Sequence, residues 1–151
     1  MKGLKGIVSV ILVAALILSG LSGLGNGIKK RNTYYHYLTI AQESIEKGLY
    51  EQAIENYKKF LSYKKDKEVY QKIMEAYELF YQEEASAYVR RCYIEDMALA
   101  ASAFPQNAEY WKKQIELYLE EQNDSKAYTV AKEAVNSRVK DEEIQKIYEG
   151  L

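Results

Sequence analysis

The residue types most often used in catalysis are scarce in this chain. It has one cysteine, Cys92, and one histidine, His36, among 151 residues. A single cysteine cannot form an intrachain disulfide, and these two residues cannot complete a Cys/His zinc site or, alone, a Ser-His-Asp relay. Cys92 falls on an apolar helical stripe, which favours a buried, unreactive thiol. We therefore expect no enzyme activity, no catalytic residue, no metal and no cofactor, with His36 a packing or surface residue.

Two pairs of adjacent carboxylates are the remaining candidates for acid–base chemistry. These are Glu83–Glu84 and Glu142–Glu143. Negative charge is favourable near the amino-terminal end of a helix, where the helix dipole is positive. We expect both pairs to lie at helix starts and neither to act as a catalytic pair.

The charged residues are distributed unevenly along the chain. The 21 Lys and Arg residues nearly balance the 22 Asp and Glu residues, but all five charged residues within 1–31 are basic. Residues 32–151 therefore carry 16 basic and 22 acidic side chains. Because nucleic-acid affinity comes mainly from Lys and Arg that neutralise phosphates, we expect no nucleic-acid partner.

The amino-terminal segment has the properties of a membrane span. Residues 6–28 contain no charged side chain, and residues 7–18 (IVSVILVAALIL) are apolar except for Ser9. A helix of 23 residues reaches about 34 Å, enough to cross a hydrocarbon core of ~30 Å. We expect residues 1–31 to form a membrane anchor with basic flanks, so that the protein crosses the membrane once and its soluble part is extracytoplasmic.

A cleaved signal peptide is the alternative for the same segment. Lys2 and Lys5 precede a short apolar core, and the stretch Gly20-Leu21-Ser22 offers small residues at plausible cleavage positions. These are the three parts of a secretory signal. In that case the mature protein is secreted.

The rest of the chain favours helix throughout. Residues 32–149 contain one glycine, Gly48, and one proline, Pro105. Ala, Leu, Glu, Lys and Gln are abundant, and no alternating strand pattern bounded by turn residues is present. We predict an all-α fold.

This helical region is also internally repetitive. Two sets of positions match at a separation of 74 residues. Because 74 is two units of 34 plus six, a middle unit with an insertion is expected between the two matching segments. The apolar stripe at residues 85–104, with only Asp96 off pattern, indicates that the extra residues lie in the second helix of that unit or in the turn before it. The matched positions are Tyr37, Ile40, Ala41, Gly48, Ala53, Tyr57 and Phe60 with Trp111, Gln114, Ile115, Gln122, Ala127, Ala131 and Ala134.

The pattern resembles the tetratricopeptide repeat (TPR), a helix–turn–helix unit of 34 residues. In the best-matching unit, the inter-repeat Pro105 is followed six residues later by Trp111, with Tyr118, Ala127 and Ala134 at the expected intervals. The layout is similar to that of bacterial envelope TPR proteins with one amino-terminal span. The resemblance implies a short solenoid over residues 32–140, with repeats at about 34–67, 68–106 and 107–140.

The resemblance also implies a concave groove lined by the first helix of each repeat. Seven glutamates and one lysine occupy the groove positions, with leucine and isoleucine between them. Such a surface predicts a protein or peptide partner that is basic and partly apolar. The alternative is an ordinary solvated helix face. The groove positions are Tyr35, Leu38, Gln42, Ile45, Glu46, Glu68, Gln71, Glu75, Glu78, Leu79, Glu109, Lys112, Glu116, Leu119 and Glu120.

Together these features predict a membrane-anchored, non-catalytic scaffold or adaptor that mediates protein–protein interaction. Residues 141–151 are expected to form a capping helix or the start of a further repeat. Two other functions stay open at this point. One is a stalk or amino-terminal segment of a larger surface protein, and the other is a regulatory or chaperone-like subunit of a membrane enzyme or translocase.

Overall fold

Every secondary-structure element in the computed structural model, which describes residues 34–150, is a helix. The all-α prediction is therefore confirmed for this part of the chain. None of these helices is long and apolar enough to cross a membrane, and the predicted anchor at residues 1–31 lies outside the described residues. The helices are α1 (34–46), α2 (Tyr50–Leu61), α3 (Lys67–Glu83), α4 (Ala87–Ala103), α5 (Ala108–Glu120), α6 (Asp124–Asn136) and α7 (Glu142–Gly150).

Polar side chains fix where several of these helices begin. The Asp66 carboxylate accepts a hydrogen bond from the Glu68 amide, and the Ser86 hydroxyl accepts one from the Val89 amide. Such caps satisfy amide groups that have no partner inside the helix. Because Ser86 caps α4, the helix begins at Ala87, and the pair Glu83–Glu84 lies at the end of α3. The prediction that this pair starts a helix is wrong, whereas Glu142–Glu143 does begin α7.

The helices stack in chain order as antiparallel neighbours. Each helix from α2 onward packs mainly against the next one along the chain. Contacts also join alternate helices, since Lys58 of α2 reaches Asp96 of α4 and Lys113 of α5 reaches Glu78 of α3. Odd-numbered and even-numbered helices therefore form two layers. Between the layers lies a core that includes the fully buried Ala53 of α2.

The helices of the middle pair are longer than those of the pair that follows. α3 and α4 have 17 residues each, whereas α5 and α6 have 13 each. At 1.5 Å per residue, each is about 6 Å longer. Contrary to expectation, the extra residues therefore do not lie in the second helix or the preceding turn alone, because both helices of the middle pair are longer.

Candidate functional site

Two concavities lie along the side of the molecule formed by the odd-numbered helices, and together we call them the inner groove. The larger one, about 530 Å³, lies between α3, α5 and α7. The smaller one, about 480 Å³, lies between α1 and α3, with Tyr57 of α2 in its wall. Both are open to solvent.

Nine of the fifteen groove positions taken from the sequence line these two concavities. The other six do not. Tyr35 packs on the Phe60 ring instead, Ile45 is half-buried against the core, and Glu68, Gln71 and Leu79 are exposed outside the lining. Glu75 is close enough to Tyr57 for its charge, after burial itself, to raise the pKa of that phenol. The nine lining residues are Leu38, Gln42, Glu46, Glu78, Glu109, Lys112, Glu116, Leu119 and Glu120.

Lys113 is a groove residue that the repeat positions did not include. Its ammonium lies 2.6 Å from a Glu116 carboxylate oxygen and 3.3 Å from one of Glu78. Burial lowers the pKa of Lys113, but the two carboxylates outweigh burial and leave the pKa raised. Its neighbour Lys112 pairs with Glu109 at 2.9 Å, and this hydrogen bond raises the pKa of Lys112. The signal in the sequence was the spacing of three residues from Lys113 to Glu116, which brings side chains together on a helix.

The larger concavity keeps an excess of negative charge in spite of these pairs. Five carboxylates face the two lysines, and the side chains of Met74, Leu119 and Ile147 supply apolar surface. Glu143 and Ile147 belong to α7, so the helix expected as a cap or the start of a further repeat contributes to the groove. The arrangement suits a ligand with positive charges beside apolar groups.

A third concavity, the outer cleft, lies on the opposite side between α2, α3 and α4. It measures about 560 Å³ and is lined by Tyr88 and Cys92 of α4, among others. Cys92 is half-buried and packs against the core, so the predicted burial of its thiol is only partial. The fully buried face of α4 runs through Tyr93 and Met97, and Cys92 lies beside this face, where it lines the cleft.

Beside the outer cleft, a buried carboxylate joins three helices. Asp96 of α4 is 3% exposed, and its two oxygens lie 2.7 and 2.9 Å from the Lys58 ammonium of α2. The Tyr77 hydroxyl of α3 donates to the same carboxylate at 2.7 Å. Burial, followed by the charge of Asp96, raises the pKa of Tyr77, which keeps this phenol protonated as a donor. The sequence signal for Asp96 was that it is the one charged residue that interrupts the apolar stripe.

The remaining candidate residues have structural surroundings. Trp111 is buried, and its indole N–H donates to the Pro105 carbonyl at 2.9 Å. His36 is exposed beside Tyr37, with ring centroids 6.5 Å apart. Within residues 34–150, no three His, Cys, Asp or Glu side chains come together as a possible metal site.

Comparison with known proteins adds no relative, because no protein-family model and no curated protein matches the chain.

Proposed function

We propose that this protein is a membrane-anchored, TPR-like adaptor whose inner groove binds a basic, partly apolar segment of another protein. The observation that carries the proposal is the larger concavity, where five carboxylates, two lysines and three apolar side chains line one surface. No catalytic step is part of this function.

The repeat assignment is supported by equivalent positions 74 residues apart. Gly48 and Gln122, which match at this offset, both adopt positive φ angles, +71° and +56°, in the turns after α1 and α5. Ala53 and Ala127 match as well, and both are fully buried. A shared turn geometry and shared close contacts are what two copies of one helical hairpin require.

The charge pattern favours a cationic ligand. Lys112 and Lys113 already neutralise part of the groove, but Glu143 is 3.9 Å from the nearest ammonium, beyond hydrogen-bond distance, and its side chain is 70% exposed. A lysine or arginine of a partner can approach such a carboxylate without breaking an existing short ion pair. Apolar groups of the same partner can cover Met74 and Leu119, which line the same concavity.

The anchor contributes by restricting where the groove is found. Residues 6–28 hold the repeats at one membrane surface, and confinement raises the effective concentration of any partner on that surface. A groove of modest affinity is then sufficient for an adaptor.

Binding of a lysine- and leucine-containing model peptide to the full-length protein in nanodiscs tests the proposal. The variant Glu75→Lys, Glu116→Lys, Glu120→Lys reverses two carboxylates that line the larger concavity and the charge of Glu75, which lies near Tyr57 in the wall of the smaller one. We expect its affinity, measured by fluorescence anisotropy at low salt, to fall about tenfold or more, because three favourable charge contacts become repulsive.

The matched control makes the same change of charge on the other face. Glu51→Lys, Glu55→Lys, Glu95→Lys alters three exposed glutamates of the outer cleft, and we expect it to keep most of the affinity. Equal losses in the two variants would indicate attraction by net charge alone. No loss in the inner-groove variant would show that the acidic face is ordinary solvated surface.

A further inference from the structure

The turns of the solenoid lie along two opposite edges. Because successive helices are antiparallel, turns 62–66, 104–107 and 137–141 share one edge with the beginning of α1, and the remaining turns lie on the other. Hydrogen bonds link neighbours along the first edge, from Gln106 to the Ser137 carbonyl at 2.7 Å and from the Tyr110 hydroxyl to the Lys67 carbonyl at 3.1 Å. We call the first edge the Tyr63 edge and the second the Glu121 edge.

The two edges carry opposite charge. Each edge consists of its turn residues and the first helical residue on either side of each turn. The Tyr63 edge has five basic and three acidic residues, and the Glu121 edge has Lys47 and six acidic residues. All five basic residues of the Tyr63 edge are exposed, and they are Lys64, Lys65, Lys67, Arg138 and Lys140. The acidic residues of the other edge, also exposed, are Glu46, Glu83, Glu84, Glu120, Glu121 and Asp124.

Exposed tyrosines add a second property to the Tyr63 edge. The Tyr63 ring stacks on Tyr34 and on Tyr37, with centroids 6.2 Å apart in each case. Tyr35 is 48% exposed and Tyr63 is 56% exposed. Tyrosine is enriched at membrane–water interfaces, where the ring contacts the lipid and the hydroxyl stays hydrated.

The proposed anchor lies close to this edge in the sequence. Tyr34 follows the uncharged stretch, which ends at Ile28, by six residues. Six extended residues span at most about 20 Å, so a span at residues 6–28 keeps the Tyr63 edge close to the lipid surface. The length of α3, whose 17 residues extend about 25 Å, separates the Glu121 edge from the Tyr63 edge.

We propose that the Tyr63 edge packs against an anionic lipid surface and turns the Glu121 edge away from it. The inference rests on the anchor of the proposed function and adds an orientation. Lysines near an anionic leaflet are attracted by about 1 kcal/mol each, whereas the carboxylates of the other edge are repelled. The helix axes are then roughly perpendicular to the membrane, and the inner groove opens parallel to it, toward partners on the same surface.

The test measures the depth of a nitroxide probe on the full-length protein in vesicles of phosphatidylcholine and phosphatidylglycerol. The probe is attached after Ser62→Cys, directly after α2, in a Cys92→Ala background, or, as the reference, after Gln82→Cys near the carboxyl-terminal end of α3. Collision with oxygen relative to a water-soluble nickel complex reports depth. We expect this ratio to be severalfold higher for the probe at position 62 than at position 82.

Variants separate contact with lipid from simple tethering. Lys64→Gln with Lys65→Gln should reduce the docked population about fivefold for each lysine removed, the equivalent of about 1 kcal/mol. Tyr35→Ser with Tyr63→Ser should also lower the ratio at position 62. The matched control, Lys47→Gln with Lys126→Gln, removes two lysines at or near the Glu121 edge and should leave the ratio unchanged.

The outcomes distinguish this inference from the proposed function. In one outcome, the protein resists carbonate extraction and yet gives the same low oxygen-to-nickel collision ratio, typical of a probe in water, at positions 62 and 82. That result would overturn the edge contact and leave the anchor unchallenged. Release of the protein by carbonate would contradict the anchor, and a high ratio at position 62 before that wash would still support the edge contact. A high ratio that does not change in the lysine and tyrosine variants would overturn the proposed contact.

Discussion

Asp96 shows how one side chain can fix the relation of three helices. Its buried carboxylate binds the Lys58 ammonium of α2 and the Tyr77 hydroxyl of α3. The Tyr77 ring in turn stacks on Tyr93, with centroids 4.8 Å apart and the ring planes 13° from parallel. A buried carboxylate without such partners would be strongly unfavourable. The three contacts therefore specify one register between α2, α3 and α4.

We expect Asp96→Ala to lower the free energy of unfolding by about 2 kcal/mol. The change leaves the buried Tyr77 hydroxyl without an acceptor, a loss worth ~1–3 kcal/mol, whereas the half-exposed Lys58 regains water. Urea unfolding followed by circular dichroism measures the effect. Glu95→Ala, at the exposed neighbouring position, is the control and should change stability by less than about 0.5 kcal/mol. Equal effects of the two substitutions would contradict the role assigned to Asp96.

The sequence could indicate Asp96 as unusual but could not supply its partners. A charged residue in an apolar stripe stands out from the local pattern. Lys58 and Tyr77, however, are 38 and 19 residues away in the chain, and only the packing of three helices brings them together. The same limit applies to the groove, where Lys113 meets Glu78 of another helix.

At the scale of elements, three helices end in one turn geometry. After α1, the Leu49 amide donates to the Ser44 carbonyl and the Gly48 amide to that of Ile45. The same pair of bonds follows α5 and α6, with Gln122 and Arg138 in place of the glycine at φ +56° and +63°. This is the Schellman arrangement, in which the left-handed position favours glycine. Two of the three turns therefore contain a residue with an unfavourable backbone conformation.

We expect Gln122→Gly to raise the free energy of unfolding by about 0.5–1 kcal/mol, because glycine adopts the left-handed conformation without strain. Gly48→Ala should lower it by a similar amount, since an added Cβ at position 48 meets no atom within 4 Å and only the backbone conformation opposes it. Thermal and urea unfolding measure both. Gln52→Gly, inside α2, is the control and should destabilise by about 1 kcal/mol. A loss of stability in Gln122→Gly would refute the explanation.

The existence of helices was predictable, but their lengths and some ends were not. Few residues in this region break a helix, so the local sequence is sufficient to predict the fold class. The boundary between α3 and α4 depends on Ser86, a single capping residue between two stretches that both favour helix. Glu83–Glu84 could therefore be assigned to either side, and only the capping hydrogen bond to the Val89 amide decides it.

At the scale of the whole molecule, the helices within residues 34–150 form a nearly one-dimensional stack, because each helix from α2 onward packs mainly against its neighbours in the chain. In such arrays stability is a sum of units and their interfaces, and the ends open more easily than the middle. α7 has nine residues and one fully buried side chain, Ile144. α4 has seven buried residues, among them Met97, which is 0% exposed.

Hydrogen exchange can test this view of the molecule with one pair of substitutions. Ile144→Ala and Met97→Ala each remove a fully buried side chain, a change that costs about 2–5 kcal/mol. We expect Ile144→Ala to accelerate amide exchange in α7 and leave α3 and α4 unchanged, because its contacts lie at one end of the array. Met97→Ala should accelerate exchange in α3, α4 and α5 together, because α4 packs against both of its neighbours. If either substitution accelerated exchange equally in all helices, the molecule would open as a single cooperative unit, and the description as a stack of nearest neighbours would be wrong.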